Sequence, residues 1–320
     1  MYAVVGATGN TGRAVVKELK GLGESPVCVV RNADKAKEVL GADTKTAMAE
    51  LDDRAGLQKA LAGAKRVFIV TGHNPKSAEQ QINVIEAAKA AGAEYIVKVS
   101  GGRDVIGPNV ESVNGQAHYQ IEEHLKKSDL QWCILSPGLF MQNIMGQAAS
   151  IKNDGKIVQP WPKDLSVALI DVRDTGALGA RVLREPAKHA GKLYTFTGVS
   201  TTFGEFAKTI GEVISKPITY VEVTLEQAEA AMKARNMPDW LVAHLVSIAR
   251  AGHKGAFSKE NTQPIRDIVG RAPITTRQFA QDFKGAFSCR CHCERSEAIS
   301  LRLRPSAWRR LLRRAARSSQ

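Results

Sequence analysis

The chain has 320 residues, of which 43% are hydrophobic and 24% are charged, a composition typical of a globular protein with one large domain or two small ones. No apolar run approaches the ~20 residues of a membrane span, and an apolar strand pattern begins at once, leaving no room for a signal peptide. Cys28 and Cys133 lie inside apolar runs, as buried reduced cysteines do. We therefore expect a cytoplasmic protein without a membrane segment.

The net charge of +13 is concentrated near the end of the chain. Residues 288–320 contain nine arginines and two acids, a net charge of +7, so the first 287 residues carry only +6. No helix-turn-helix or basic stripe occurs in those 287 residues, so we expect no direct binding of nucleic acid.

The arginine-rich segment 288–320 also lacks the alternation of strand and helix patterns. Its Cys-x-Cys-His-Cys run has no second ligand pair that would complete a tetrahedral zinc site, so we expect no metal. Trp308–Arg317 could form a basic amphipathic helix on a membrane or nucleic acid. The run beginning at Cys291 instead resembles peptides translated from bacterial interspersed repeats, and we interpret the segment as an accidental, disordered extension without a role in activity.

Residues 1–150 alternate between apolar, β-branched runs and amphipathic helical patterns. The predicted strands are Ala3–Val5, Val27–Val30, Val67–Val70, Tyr95–Val99 and Trp132–Leu135, with a weaker one near Lys45–Ala49. The predicted helices are Thr11–Leu22, Ala33–Leu40, Arg54–Leu61, Ser77–Ala91 and Gln116–Lys127. Such alternation predicts an α/β fold of the Rossmann type, with a doubly wound parallel sheet and right-handed crossovers.

After residue 150 the pattern consists mainly of helices, near Val172–Leu183, Phe203–Ile214, Leu225–Ala234 and Trp240–Ala251. These pieces are too few and too interleaved to predict an independent second sheet. We expect residues 151–287 to form a smaller C-terminal α/β substrate lobe, interleaved with the nucleotide-binding domain of residues 1–150.

A glycine-rich turn joins the first predicted strand to the first predicted helix: Val4-Val5-Gly6-Ala7-Thr8-Gly9-Asn10-Thr11-Gly12. Gly6 allows a tight turn, Gly9 allows phosphate to approach the backbone, and Gly12 allows the helix to pack on the strand. Free backbone N–H groups and the helix dipole favour an anion there. Glycine triplets also occur in unrelated turns, but the strand before and the helix after predict a dinucleotide site.

The end of the second predicted strand bears on the choice between NADH and NADPH. A carboxylate there would bond the ribose 2′-hydroxyl of NADH, whereas an arginine suits a 2′-phosphate. The strand ends in Val30-Arg31-Asn32, and the first acid, Asp34, lies inside the following helix. Arg31 is alternatively an ordinary solvated arginine. We predict that the cofactor is NADP(H), preferred over NAD(H).

These and later motifs resemble the NmrA-like branch of the atypical short-chain dehydrogenases/reductases, which includes quinone oxidoreductases, triphenylmethane reductase and redox-sensing regulators. The resemblance extends from residue 2 to about 287. Besides the glycine turn and Val30-Arg31-Asn32, it rests on Leu51-Asp52-Asp53, His118…Ile121-Glu122…Leu125, Leu135-Ser136-Pro137-Gly138-Leu139-Phe140-Met141-Gln142-Asn143, Ile170-Asp171-Val172-Arg173-Asp174 and Gly191–Gly198.

The resemblance implies which residues contact each part of the dinucleotide. For the pyrophosphate, the 2′-phosphate and the adenine, they are Thr8, Asn10, Thr11, Arg31 and Asp52. For the nicotinamide and its ribose, they are Thr71, Gly72, His73, Ser100, His118 and Pro137. Asp171 and Asp174 are expected to connect the two lobes or to cap a helix.

One departure from the wider family concerns catalysis. Short-chain reductases use Tyr-x-x-x-Lys, but those positions fall at Asn114 and His118, and the partner of the nearby Tyr119 is Glu123. Reduction of a simple ketone by a tyrosine acid is therefore not expected. A quinone needs less help from the protein, because its developing oxyanion is delocalised. His118 is the candidate to hold the ribose or donate a proton, and the alternative is an ordinary surface histidine.

The acceptor site is predicted from the late motifs and from scattered aromatic and methionine residues. Phe140, Met141, Asn143 and Trp161 are the predicted substrate residues, with core packing as the alternative for the apolar ones. We predict an NADPH-dependent oxidoreductase that reduces quinone-like or other apolar small-molecule acceptors. The alternative hypothesis is a non-catalytic NADP(H) sensor that acts through protein partners. A homodimer is compatible with both.

Overall fold

The computed structural model describes residues 1–288, so the predictions made for Cys289–Gln320 lie outside the described residues. The first half of the chain alternates strands and helices: β1 (Tyr2–Val5), α1 (Asn10–Gly21), β2 (Val27–Val30), α2 (Ala33–Leu40), β3 (Thr46–Met48), α3 (Arg54–Ala60), β4 (Arg66–Ile69), α4 (Ser77–Ala90), β5 (Tyr95–Val99), α5 (Val113–Lys127) and β6 (Gln131–Pro137).

The second half contains a larger share of helices among its strands: β7 (Leu139–Phe140), α6 (Ala148–Asp154), β8 (Lys156–Gln159), β9 (Ser166–Ile170), α7 (Val172–Arg184), α8 (Pro186–His189), β10 (Lys192–Phe196), β11 (Ser200–Thr202), α9 (Phe203–Ile214), β12 (Thr219–Glu222), α10 (Leu225–Ala234), α11 (Asp239–His253), α12 (Thr276–Asp282) and α13 (Lys284–Phe287). Within residues 1–288, no helix has the length and apolar character needed to span a bilayer.

A seven-stranded sheet in the order β3-β2-β1-β4-β5-β6-β10 forms the centre of the molecule. All its pairs are parallel, which confirms the predicted doubly wound Rossmann fold. The strand order reverses beside β1, whose Val5 pairs with Val29 of β2 on one side and Ile69 of β4 on the other. The connections from β1 and β4 leave on opposite faces of the sheet, so a crevice opens at this end of the strands.

Hydrophobic residues cover both faces of this sheet, because a parallel sheet has helices on each side. Val4 and Phe68 face one buried cluster, and Val5 and Ile69 face the other. Helix α7 packs closely against α1 on the first face, where a Cβ added to Gly176 would lie 2.5 Å from the Cβ of Ala14. Residues on both sides of residue 150 therefore build the core around the sheet.

The remaining residues form a lobe with two small sheets, β11-β9-β7 and β12-β8, around a third hydrophobic cluster. The lobe is interleaved with the first half of the chain, since β7 comes from before residue 150, but the sequence analysis did not locate its short strands. These strands have two to five residues each, too few to show a clear two-residue alternation.

Two aspartates at the start of α7 join the lobe to the central sheet. The side chain of Asp171 caps α7 by accepting from the amide of Arg173, and that arginine also pairs with Asp282 of α12. Fully buried Asp174 accepts from the amide of Ile274 at 2.9 Å and pairs with Arg271. Both the capping and the connecting roles that the sequence suggested are present.

Candidate active site

A cleft of about 780 Å³ lies at the carboxyl ends of the central strands, a volume suited to a cofactor-sized ligand. Most of the predicted site residues line it. They are Gly6, Thr8, Gly9, Asn10, Thr11, Gly12, Arg31, Thr71, Gly72, His73, Ser100, His118, Phe140 and Asn143.

The glycine turn has the backbone geometry that the sequence predicts. Gly6 has φ +81°, and a Cβ there would lie 1.6 Å from the carbonyl oxygen of Val70. A Cβ on Gly12 would lie 2.1 Å from the carbonyl oxygen of Gly6, whereas a Cβ on Gly9 would touch nothing closer than 3.4 Å. Gly6 and Gly12 are therefore required by the fold, and Gly9 leaves open space on the cleft side.

The start of α1 presents unused hydrogen-bond donors to the cleft. The first backbone bond inside the helix runs from the Arg13 amide to the Gly9 carbonyl at 2.8 Å, and no side chain caps this end. The amides of Asn10, Thr11 and Gly12 precede that bond, so they are free to bind an anion. This arrangement fits the pyrophosphate of a dinucleotide.

Arg31 lies at the end of β2, on the wall of the cleft, and is exposed. Its guanidinium makes no hydrogen bond or ion pair with any of residues 1–288. Glu50, just beyond β3, lines the same part of the cleft. A carboxylate sought only at the end of β2 does not include Glu50, because Glu50 follows the neighbouring strand β3.

Four predicted site residues lie outside the lining of the cleft. Asp52 stands at the rim, accepting from Gln80 at 3.2 Å and pairing with Lys76 at 3.7 Å. Pro137 is buried at the end of β6.

Met141 and Trp161 belong to the hydrophobic cluster of the lobe, where Trp161 packs against Phe203. Both side chains therefore pack in the core of the lobe, as the alternative held, and the prediction that they line the cleft was wrong. Of the predicted acceptor residues, Phe140 and Asn143 remain on the cleft wall.

His118 is a buried residue of α5 on the wall of the cleft, only 8% exposed. Its Nδ1 lies 3.0 Å from the Nζ of Lys98, a fully buried residue of β5. Burial lowers the pKa of His118 well below its usual range, and the nearby Lys98 lowers it further. The interpretation of His118 as a surface histidine is thus wrong, because this face of α5 packs over the end of the sheet.

Two more histidines adjoin His118. The ring of His73, after β4, lies 5.6 Å from the ring of His118 and 5.4 Å from that of His244 on α11. Burial lowers the pKa of His73, and it lowers the pKa of His244 to about 4. At neutral pH this side of the cleft therefore carries uncharged imidazoles.

A carboxylate network fixes α5 against the end of β5. Glu122 accepts hydrogen bonds from Ser100 and from both terminal guanidinium nitrogens of Arg103, the latter at 2.8 Å each. Burial raises the pKa of Glu122, but these hydrogen bonds outweigh it and leave the pKa below its usual range. Ser100 therefore orients a structural carboxylate as well as lining the cleft.

Asn114, which the family resemblance places at the position of the short-chain reductase tyrosine, lies one helical turn before His118. It is 3% exposed, and neither polar atom of its side chain has a hydrogen-bond partner within residues 1–288. Sequence reasoning did not single out Lys98 or His244, which lie behind and beside the histidines of the cleft. Lys98 lies in an apolar run that predicts a strand, and an isolated lysine in such a run indicates a buried charge.

Comparison with known proteins identifies the family of the chain. The model of the NmrA-like family matches residues 2–269. The chain is 30% identical over 293 residues to an NAD(P)H azoreductase of Xenophilus azovorans, covering 90% of this chain and 99% of that protein.

Two solved structures share the fold. An NADPH-dependent quinone oxidoreductase from Escherichia coli, complexed with NADPH, superposes with a TM-score of 0.78 at 26% identity, covering 89% of this chain and all of that one. The Citrobacter sp. triphenylmethane reductase, complexed with NADP(H), has a TM-score of 0.75 at 23% identity, covering 89% of this chain and 100% of that one. The chain is an oxidoreductase that belongs to the NmrA-like family.

Proposed function

We propose that this protein uses NADPH to reduce quinone-like acceptors, with the dinucleotide along the glycine turn and the acceptor beside His118. The observation that carries the proposal is the single cleft that joins the free amides of α1 to the buried His118. When bound, the cofactor supplies a hydride, and the protein supplies position and a proton.

The residues of the cleft fit each part of the cofactor. Thr8, Gly9, Asn10, Thr11 and Gly12 surround the open anion site at the start of α1. Arg31 has no partner among the described residues and can form a forked, charge-assisted contact with a 2′-phosphate. Toward the other end, Thr71, Gly72, His73 and Ser100 are proposed to border the ribose and nicotinamide.

The acceptor end is more polar than the sequence suggested. Phe140 supplies an apolar surface, whereas His73, His118 and Asn143 supply polar groups. The amide nitrogen of Gln142 has no hydrogen-bond partner within residues 1–288. A flat conjugated acceptor with carbonyl oxygens matches this combination, because its ring can lie on Phe140 while its oxygens meet donors.

The proposal is tested by measuring oxidation of NADPH and NADH with 1,4-naphthoquinone, on protein truncated after Phe287 and on the full chain. Quinone-dependent turnover that prefers NADPH is expected for both forms. Tight NADPH binding without turnover on any quinone would instead favour a redox sensor. Loss of activity on truncation would show that the arginine-rich segment has a role.

A further inference from the structure

Lys98 is a charged residue in the middle of the protein that the proposed function has not used. Its side chain is fully buried, and its Nζ contacts the Val99 carbonyl oxygen at 3.2 Å and the His118 Nδ1 at 3.0 Å. It does not line the cleft, whereas His118 does. Lys98 therefore lies directly behind His118 as seen from the cleft.

The chemistry of the two groups fixes the position of the histidine proton. An ammonium group has three donors and no acceptor, so a charged Lys98 requires His118 Nδ1 to accept. The ring proton of neutral His118 then resides on Nε2. That nitrogen makes no hydrogen bond with any residue in the described part of the chain, so it is free to donate to a ligand.

We propose, building on the function above, that Lys98 and His118 form a proton relay to the acceptor oxygen, in which Lys98 is the positioning residue and the source of the proton. The relay replaces the tyrosine and lysine of other short-chain reductases. In this arrangement the donor lies on α5 and the cation comes from the neighbouring strand β5.

The relay solves a difficulty that His118 alone would face. A neutral imidazole that gave up its Nε2 proton would become an imidazolate, a strongly basic anion. When Lys98 passes a proton to Nδ1 as Nε2 releases one, the ring stays neutral throughout. Burial lowers the pKa of Lys98 from 10.5 to about 7, so its ammonium can release a proton near neutral pH.

The step balances for a quinone. The hydride adds to the conjugated ring and an electron pair moves to the carbonyl oxygen, so the quinone is reduced and the nicotinamide oxidised. The O–H bond forms as the Nε2–H bond of His118 breaks, and an Nδ1–H bond forms as an N–H bond of Lys98 breaks. The product of this step is the keto tautomer of the hydroquinone, and it becomes the hydroquinone when the new ring C–H bond loses its proton to water and the second carbonyl oxygen takes a proton from water. Its departure opens His118 to water, from which Nε2 takes a proton while Nδ1 returns one to Lys98.

Other charged and titratable groups around the pair modulate this titration. Glu122 on α5 raises the pKa of Lys98, whereas Arg103, in the turn after β5, lowers it. His73 and His244 face His118 from the loop after β4 and from α11, and both are themselves neutral by virtue of lowered pKa values. Lys98 is thus the group of this set expected to change charge near pH 7.

The first test is nitrogen-15 NMR of histidine side chains in the cofactor-free protein, with His118 assigned from the His118→Gln variant. We expect His118 at pH 6 to carry its proton on Nε2, and Lys98→Met to produce a mixture of tautomers. A proton on Nδ1 in the wild type, or an unchanged tautomer in Lys98→Met, would overturn the pairing. This measurement is independent of turnover.

The second test follows single-turnover reduction of 1,4-naphthoquinone against pH. The wild-type rate should fall as pH rises through about 7, and Lys98→Met should lower it by about tenfold or more and remove this dependence. His118→Gln retains an amide acceptor and donor but cannot carry a proton, so it should lose rate similarly. His124→Gln is the control, because His124 lies on the same helix outside the cleft, where it pairs with Glu86.

The outcomes separate the relay from the proposed function. NADPH affinity in Lys98→Met should stay within about twofold of wild type, because Lys98 does not line the cleft. An unchanged rate and pH profile in Lys98→Met would refute the relay while leaving the reductase intact. If the wild type reduces no quinone, the proposed function and the proton transfer both fail, and the NMR result alone decides the pairing.

Discussion

The two ends of the cleft are built by different means. The phosphate end uses consecutive residues of one turn, and its geometry depends on backbone space at Gly6 and Gly12. The acceptor end uses single side chains from separate elements, among them His73 after β4, His118 on α5 and Phe140 on β7. Backbone sites of the first kind are visible as a motif, whereas sites of the second kind exist only after folding.

The largest effects are expected from substitutions in the glycine turn. Gly6→Ala should destabilise the fold by about 3 kcal/mol or more, because the new Cβ meets the Val70 carbonyl and φ is positive. Gly9→Val should keep the fold and weaken both dinucleotides by roughly 2–3 kcal/mol, since it fills the cleft side. Thermal melts and cofactor titrations distinguish them, and Gly21→Ala, in open space, is the control. If the Gly6 and Gly9 variants lost stability and cofactor affinity to the same extent, the two glycines would not have the separate roles assigned to them.

Lys98, behind the acceptor end of the cleft, should change how the stability of the protein depends on pH. Burial lowers the pKa of Lys98 to about 7 in the folded protein, against 10.5 in the unfolded chain. The unfolded state therefore binds more protons between these values, and Lys98 makes stability rise with pH there by up to about 1.4 kcal/mol per pH unit. The free energy of unfolding, measured in urea at several pH values, should rise more steeply with pH in the wild type than in Lys98→Met, by this slope. Parallel curves would mean that folding does not lower the pKa of Lys98.

Arg31 tests whether the phosphate end also selects the cofactor. Arg31→Ala should weaken NADPH by about 1.5–3 kcal/mol and NADH by much less, because only NADPH offers a phosphate to the guanidinium. Glu50→Gln should shift the preference slightly toward NADPH by removing a nearby carboxylate. Isothermal titration measures both, with Lys35→Ala, off the cleft wall, as the control. An equal loss of NADPH and NADH affinity would remove the preference.

The smallest effect is expected at Asp52. Its carboxylate pairs with Lys76 and accepts from Gln80 at the rim, and its side chain does not line the cleft. Asp52→Asn should change the affinity for NADPH by less than about threefold, as for a solvent-exposed ion pair. A larger loss in the same titration would return Asp52 to the adenine site that the family resemblance implies.

Much of the fold was predictable because its signals are local. The bounds of β2, β5, α2, α9 and α10 match the predicted ones, since each is a continuous pattern with clear punctuation. β10 was missed because Lys192–Phe196 is a short edge strand with a polar first residue. These residues form a strand because they pair with β6, and no local sequence pattern reveals that pairing.

The site divides in the same way. The glycine turn and Arg31 were predictable because each is defined by its distance along the chain from a strand. Lys98 and His244 were not, because their significance depends on which side chain they meet across the fold. Met141 and Trp161 were misplaced for the same reason: apolar residues suit a core as well as a cleft, and composition does not decide between them.

The position of β10 at the edge of the sheet affects how the chain can be cut and how it folds. The chain leaves the sheet at Pro137, builds the first part of the lobe, and returns at Lys192 to pair with Cys133. A fragment that ended at residue 150 would present the unpaired edge of β6 and uncover the face on which α7 packs, which invites aggregation. Because this pairing requires a distant segment, the sheet is expected to close late in folding.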